Sequence, residues 1–413
     1  MYKPKKGLEK MRILRKICSA VLCGAVAVFV ICSAAENLSS AQESEAALYA
    51  ENGETTAVKD VLDELSAQSV AVVETTTGRV LFEKSPDEIA QSGHFTKLMT
   101  LLLAAEKIDC GELELGDVTT VSDLANAQQG SQIWLDKGEK ITIEELVKSV
   151  SIGNANDGCV ALAEAVCGSE DKALSAMNAR AKALKMGDTH YSDLTGTSPD
   201  NTTTAADTAK LCAELAKYKN FTPYLTCWLD TVRQGRAELV NLNRLVRSYK
   251  GVTGMKAWGS QDSGGCIAAS AERGEMSVCV VLFGCSDVES ACLEAKKLLD
   301  MSFQSYELYT PELPEDLTLE CAVKGGESLS VKLKTVGLHP VIIPHGAYRS
   351  VSCDFQVAEE LQAPFNTKTK AGSLIYKIGD EVILEGDICP ENAVNKMNFY
   401  CAVKKLLYNL LEI

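Results

Sequence analysis

The chain has 413 residues, 46% of them hydrophobic, which is enough for two or three domains with packed cores. Its 56 Asp and Glu against 41 Lys and Arg give a formal charge of −15, with no basic stripe, which excludes a nucleic-acid-binding role. Sixteen cysteines contain no C-x-x-C pair and the four histidines form no ligand-spaced cluster, so no metal or cofactor is expected.

The first segment reads as an export device. Lys3, Lys5, Lys6, Lys10, Arg12, Arg15 and Lys16 precede an apolar run over 17–35, followed by small and polar residues, which is the layout of a secretory signal peptide. Cleavage after Ala35 or Ala41 suits the small-residue rule, although the run is also long enough for an uncleaved anchor. Loss of residues 1–35 removes seven basic residues and one acidic residue (Glu9) and moves the charge from −15 to −21. Three cysteines lie in this segment; Cys159, Cys167, Cys279 and Cys401 sit in apolar periodic runs, where cysteine acts as a small hydrophobe. So many core cysteines in an exported chain point to a reducing habitat, and the spacing does not choose among disulfide pairings.

Residues 36–58 are polar and acidic and read as a linker. Runs over 69–74 and 79–83 flank Thr75-Thr76-Thr77-Gly78 and predict a β-hairpin. A strongly apolar run over 98–105 predicts a buried helix starting at Thr96. Thr142 and Glu145 have capping-box spacing ahead of a second helix. Asn156-Asp157 is expected to cap a third, stopped by Gly168. Helices are expected over 171–186, 204–217 and 288–302, and a buried hairpin turns at Arg273-Gly274. From about Pro311 short β-type runs (317–323, 329–333, 341–343, 373–378 and 381–384) are separated by glycine and proline turns, giving a small all-β module over 311–393. The last segment, 394–413, is an amphipathic helix with Phe399, Val403, Leu407 and Leu410 opposite Lys404 and Lys405, suited to packing on another domain or lying on a membrane surface.

On a helix, residues three apart share a face, so His94 and Lys97 point the same way. His94 at this place is expected to be a polar residue capping a buried helix. Lys97 pairs with Asn156 or a backbone carbonyl, or else binds a ligand. Trp258 is expected to be a packed plug rather than a stacking platform.

The chain from about residue 65 onward resembles the low-molecular-mass penicillin-binding proteins, the serine D-alanyl-D-alanine carboxypeptidases. The likeness rests on Thr77-Gly78-Arg79-Val80-Leu81, Thr96-Lys97-Leu98-Met99-Thr100, Gly130-Ser131, Asn156-Asp157, Thr195-Gly196, Asn243-Arg244-Leu245, Gly251-Val252-Thr253-Gly254-Met255-Lys256 and Ala269-Ser270-Ala271-Glu272-Arg273, with Ala363-Pro364-Phe365 and Ala371-Gly372 in the β module. It implies an α+β chain: a penicillin-binding/β-lactamase-like transpeptidase domain (antiparallel sheet with helices) over 59–305, followed by the small all-β domain.

The resemblance also implies three motifs meeting in one cleft, and this chain departs from each. In S-x-x-K, whose serine attacks the peptide carbonyl and whose lysine takes its proton, Lys97 stays but His94 stands at the serine position. Ser92 is five residues from Lys97 and off the shared face. In S-x-N, Asn156 stays while Asn154 replaces the proton-relaying serine. In K-T-G, Lys256 stays, where the family attracts the substrate carboxylate; Ala257 replaces threonine and Trp258 replaces glycine. The implied function is a protein of peptidoglycan biosynthesis and remodelling, exported to the cell envelope, with hydrolysis lost or strongly impaired, that binds wall stem peptides or acts as a scaffold. The alternative is an active carboxypeptidase removing the terminal D-alanine by an altered mechanism. The C-terminal helix offers a membrane contact, and the sequence names no protein partner.

Overall fold

The computed structural model describes residues 54–403. The export segment 1–35 and most of the stretch 36–58 lie outside them, as do residues 404–413 of the expected C-terminal helix. The start of that helix is corrected: 399–403 is helical, whereas Val394 and Lys396 form β-bridges to Phe365 and Gly326, because their backbone groups are taken up by the β module. Helix α1 (Glu54–Asp63) takes in the last five residues of the expected linker. Val58, Val61 and Leu62 set a helical spacing that begins inside that polar stretch.

The centre of the larger unit is an antiparallel sheet of β1 (Ser69–Glu74), β2 (Val80–Lys84), β3 (Val252–Ser260), β4 (Gly264–Arg273) and β5 (Met276–Cys285), in the order β2-β1-β5-β4-β3. β1 is buried at every position, and β5 reads Met-Ser-Val-Cys-Val-Val-Leu-Phe because the sheet is covered on both faces. Helices α2 (Thr96–Asp109), α3 (Ile143–Ser151), α4 (Asn156–Cys167), α5 (Glu170–Ala183) and α6 (Ala205–Leu215) form one group, with α6 against β1 and β5. Helix α7 (Val288–Ser305) packs on β4 and β5. α2 is buried from Thr96 to Leu102 without a polar face, so it runs through the core rather than along its surface. Every polar group it carries must find a partner inside the protein.

The capping box on α3 is present, with both Thr142 and Glu145 engaged, and Gly168 ends α4 in the left-handed conformation at φ +89°. The expected cap on α4 is corrected: Ala155 is the N-cap residue and makes no side-chain bond, and Asn156 is the first helical residue. Asp157 is spent elsewhere. Its carboxylate accepts the N–H groups of Ile133 (3.1 Å), Leu135 (3.0 Å) and Gly158 (2.8 Å), fastening the 129–135 loop to α4.

The second sheet holds β6 (Glu320–Lys324), β7 (Ser330–Val336), β8 (Val351–Val357), β9 (Glu360–Gln362), β10 (Gly372–Ile378) and β11 (Glu381–Pro390), in the order β8-β10-β11-β7-β6-β9. β8 and β9 escape a reading of apolar runs because polar residues (Ser352, Asp354, Gln356, Glu360) occupy their exposed positions. The run at 341–343 forms a strand, but it pairs with Tyr306–Tyr309 and not with the module's sheet. All thirteen cysteines of the described residues are free thiols.

Replacing Asp157 by Ala leaves buried amide donors without an acceptor. The Asp157→Ala variant is expected to lose about 3 kcal/mol of unfolding free energy in urea titrations, and Asp157→Asn less, since one acceptor oxygen remains. An unchanged midpoint for Asp157→Ala would mean that the loop is not held from α4.

Candidate functional site

Chain entry into α2 is tightly enclosed. Residues Gly93–Phe95 form a 3₁₀ turn that leads straight into the helix, with Gly93 at φ +47°. Ser92 is buried and its Oγ lies 2.6 Å from Thr96 Oγ1, so its hydroxyl is engaged within the turn. Gly196, at φ +80°, crosses so closely that a methyl group there would fall 1.7 Å from the Gly93 carbonyl oxygen. Only glycine fits at that crossing.

His94 sits on this turn, and it does not cap the helix: neither the turn nor α2 has a side-chain N-cap bond. Its Nδ1 is buried without a partner. Burial, reinforced by the ammonium groups of Lys97 and Lys256, lowers its pKa to about 2, so the ring is a neutral imidazole. Lys97 is completely buried one turn along. Its Nζ donates to the Thr195 carbonyl at 2.9 Å, which selects the backbone option among the sequence-based expectations. Burial brings its pKa down to about 8, opposed by Cys159 and Asp193. The Thr195 carbonyl is held in place by Asp193, whose carboxylate collects the N–H groups of Thr195 (2.8 Å), Gly196 (2.6 Å) and Ser198 (2.5 Å).

The connection between α3 and α4 supplies the second part. Asn154 adopts φ +56°, a conformation asparagine tolerates better than most side chains. Its Nδ2 donates to the Ala257 carbonyl at 3.3 Å, and its Oδ1 accepts from Lys256 Nζ at 2.7 Å. Asn156 Nδ2 donates to the Gln129 carbonyl at 2.6 Å, while its Oδ1 is buried and unpartnered.

Strand β3 supplies the third. Alternation along the strand puts Lys256 and Trp258 on one face and Ala257 on the other. Lys256 is fully buried, and besides Asn154 its Nζ donates to the carbonyls of Val150 (2.7 Å) and Ser151 (3.2 Å). Those are the last carbonyls of α3, which have no partner within the helix and carry the negative end of its dipole. Burial and then Lys97 lower the Lys256 pKa to about 7. Trp258 lies directly on Gly93: a Cβ at Gly93 would stand 2.2 Å from the indole Cζ2. The indole is edge-on to Phe95 at 6.0 Å and 5.9 Å from the His94 ring, with only 5% of its surface exposed. Its Nε1 finds no acceptor.

The seven residues singled out from the sequence therefore gather around one point, although their bonds run inward. Among the described residues four buried side-chain polar atoms lack partners, and three of them belong to His94, Asn156 and Trp258. Such concentration marks a site whose polar groups are not arranged for one another. Sequence reading missed the Gln129 carbonyl and the α3 carbonyls because backbone acceptors leave no trace in residue identity, and it missed the Asp193 clasp because that carboxylate bonds backbone N–H groups of its own loop, which any residue supplies.

A profile of the family described as "D-alanyl-D-alanine carboxypeptidase" matches residues 54–287. The chain is 30% identical over 346 residues to the D-alanyl-D-alanine carboxypeptidase DacF of Bacillus subtilis, covering 83% of this chain and 89% of the relative. It is 27% identical to DacC of Escherichia coli over 81% of this chain and 86% of the relative. In fold it is similar to penicillin-binding protein 5 of Haemophilus influenzae, with a TM-score of 0.71 and 24% identity over 81% of this chain and 98% of that one.

The lowered His94 pKa has a consequence in acid. The unfolded chain binds a proton at this ring near pH 6.5, whereas the folded chain does so only near pH 2. Between those values the unfolded state holds the extra proton, so this group's contribution declines as pH falls from 6.5. His94→Gln is expected to gain stability relative to the parent between pH 7 and pH 4 in denaturant titrations. A pH-independent difference between the two proteins would show that the imidazole protonates freely in the fold.

Proposed function

Since the chain belongs to the D-alanyl-D-alanine carboxypeptidase family, the low-molecular-mass penicillin-binding proteins, we propose that it is a non-hydrolysing member that acts at the cell envelope as a wall-peptide-binding or scaffolding protein. The family works on cell-wall peptidoglycan outside the cytoplasm, and on this reading residues 1–35 deliver the chain there.

Trp258 seated on Gly93 carries the proposal. The indole occupies the space between β3 and the turn before α2, where a substrate backbone would need to lie against a residue with no side chain. Lys256 points the same way. An ammonium has three hydrogens, and Lys256 has three acceptors in bonding reach, so none is left for a substrate carboxylate. Asn154 replaces a hydroxyl relay with an amide, which cannot pass a proton and is tied at both ends. His94 replaces the serine with a neutral ring under the indole.

A second reading, acyl transfer through His94 with Lys97 as base, draws on the lowered pKa of Lys97. It must move Trp258 first, and its acyl-imidazole would hydrolyse readily.

Purified protein is expected to form no adduct with a fluorescent penicillin. It is also expected to release no D-alanine from a stem peptide ending in two D-alanines, a loss of roughly four or more orders of magnitude against an intact serine site. His94→Ser alone should stay unlabelled, while the combination H94S/N154S/A257T/W258G should regain labelling. Labelling or turnover by the unaltered chain would sink the proposal.

A further inference from the structure

Trp134 stands outside the cleft motifs. Its indole is 67% exposed, although it lies between two residues, Ile133 and Leu135, that are almost completely buried. Its backbone is at φ +56°, a region in which glycine or asparagine is the favoured residue and a bulky aromatic is an outlier. An exposed position with no role beyond the fold would favour one of those residues.

The unfavourable conformation is held from both sides by buried charge. Asp157 accepts the N–H groups of Ile133 and Leu135, on either side of the tryptophan. Arg233 Nη1 donates to the carbonyls of Ile133 and Trp134. The Arg233 side chain is 7% exposed and is itself fixed by Glu139 at 2.6 Å and Asp136 at 3.0 Å. Backbone strain of this kind persists only where its surroundings over-determine it, and it concentrates at ligand-binding positions. The braces leave the indole pre-set in one place, so a ligand stacking on it orders little on arrival.

The surroundings limit what that ligand is. The loop before the indole reads Gln128-Gln129-Gly130-Ser131-Gln132, with Gln129 and Ser131 exposed. Ser131 Oγ donates to the Gly153 carbonyl, and the amides of Gln128, Gln129 and Gln132 each donate once to a nearby carbonyl, which leaves each amide its oxygen and a second N–H and leaves the hydroxyl as an acceptor. The charges nearby are spent on one another: Arg233 on Glu139 and Asp136, and Lys137 on Asp123 at 2.8 Å. Arg233 and Lys137 against Glu139, Asp136 and Asp123 leave one net negative charge, so the patch carries no basic cluster for an anionic lipid surface. An aromatic face bordered by neutral donors and acceptors fits a neutral polyhydroxylated ring. The same loop is bonded to α4, through Asn156 N to the Ser131 carbonyl at 2.7 Å and Asn156 Nδ2 to the Gln129 carbonyl.

We propose that Trp134 and the 129–134 loop form a saccharide-binding site that takes the pyranose face of the wall's glycan, beside the closed cleft. The proposal rests on the wall-binding reading above and gives that reading a place on the surface.

Calorimetric titration of the full chain with the β-1,4-linked tetrasaccharide of N-acetylglucosamine tests it. The parent is expected to bind, Trp134→Ala to bind at least tenfold more weakly, and Trp134→Tyr to stay within about threefold, as loss and retention of one stacking face require. Trp134→Gly is expected to melt at no lower Tm than the parent while losing the saccharide, because glycine relieves the φ strain; a purely structural tryptophan would lower Tm. Absence of binding by the parent, or equal binding by Trp134→Ala, overturns the proposal. So does association with phosphatidylglycerol vesicles, or self-association on sedimentation, that Trp134→Ala abolishes while saccharide binding is absent. Penicillin labelling is read separately: a labelled protein that still binds saccharide through Trp134 overturns the non-hydrolysing reading and leaves this one standing.

Discussion

Two amines at the heart of the protein, Lys97 and Lys256, are buried, and among the described residues oxygens of neutral groups, not carboxylates, accept their hydrogen bonds. Removing an ammonium from water costs several kcal/mol unless its hydrogens are satisfied. That demand organises what surrounds it. The Asp193 clasp turns the Thr195 carbonyl toward Lys97, and the end of α3 with Asn154 receives Lys256. Burial lowers the pKa of both amines, Lys97 lowers that of Lys256 further, and both amines lower that of His94. The same amines brace loops against helices: Lys97 holds the 193–198 loop to α2, and Lys256 holds the end of α3 to β3.

Much of the fold was legible in the sequence, for physical reasons that can be named. The hairpin at Gly78, the apolar helix from Thr96, the capping box at Thr142 and the stop at Gly168 are local signals that tertiary structure had no cause to override. β8 and β9 were illegible because their exposed positions carry polar side chains. The Asn156-Asp157 cap misled because Asp157 found a stronger use in the amides of Ile133 and Leu135, which lie more than twenty residues away in sequence. Of the site, residue identities at 94, 97, 154, 156 and 256–258 could be read directly. Their partners could not, since most are backbone carbonyls that any residue supplies.

The two tryptophans beside the cleft have opposite environments although both adjoin its motifs. Trp258 is buried against a glycine with its N–H unpaired, a poor arrangement for polar satisfaction and a good one for filling space. Trp134 is exposed at a backbone angle that glycine or asparagine favours, an arrangement poor for packing. Neither residue type follows from the needs of the local element. Departures from local preference of this sort are where a sequence records something other than folding.

The seat of Trp258 on Gly93 also bears on what reopening the slot between them would take. Emptying that slot means removing a buried tryptophan side chain, which costs about 3–5 kcal/mol through lost contact and the void left behind. That is a large part of a typical domain's stability. On the proposed non-hydrolysing reading, the indole therefore sets a threshold of its own. A protein with serine, relay and threonine placed at 94, 154 and 257 but with the slot still filled would keep its stability and gain no room for substrate. One with the slot emptied would need stability from elsewhere.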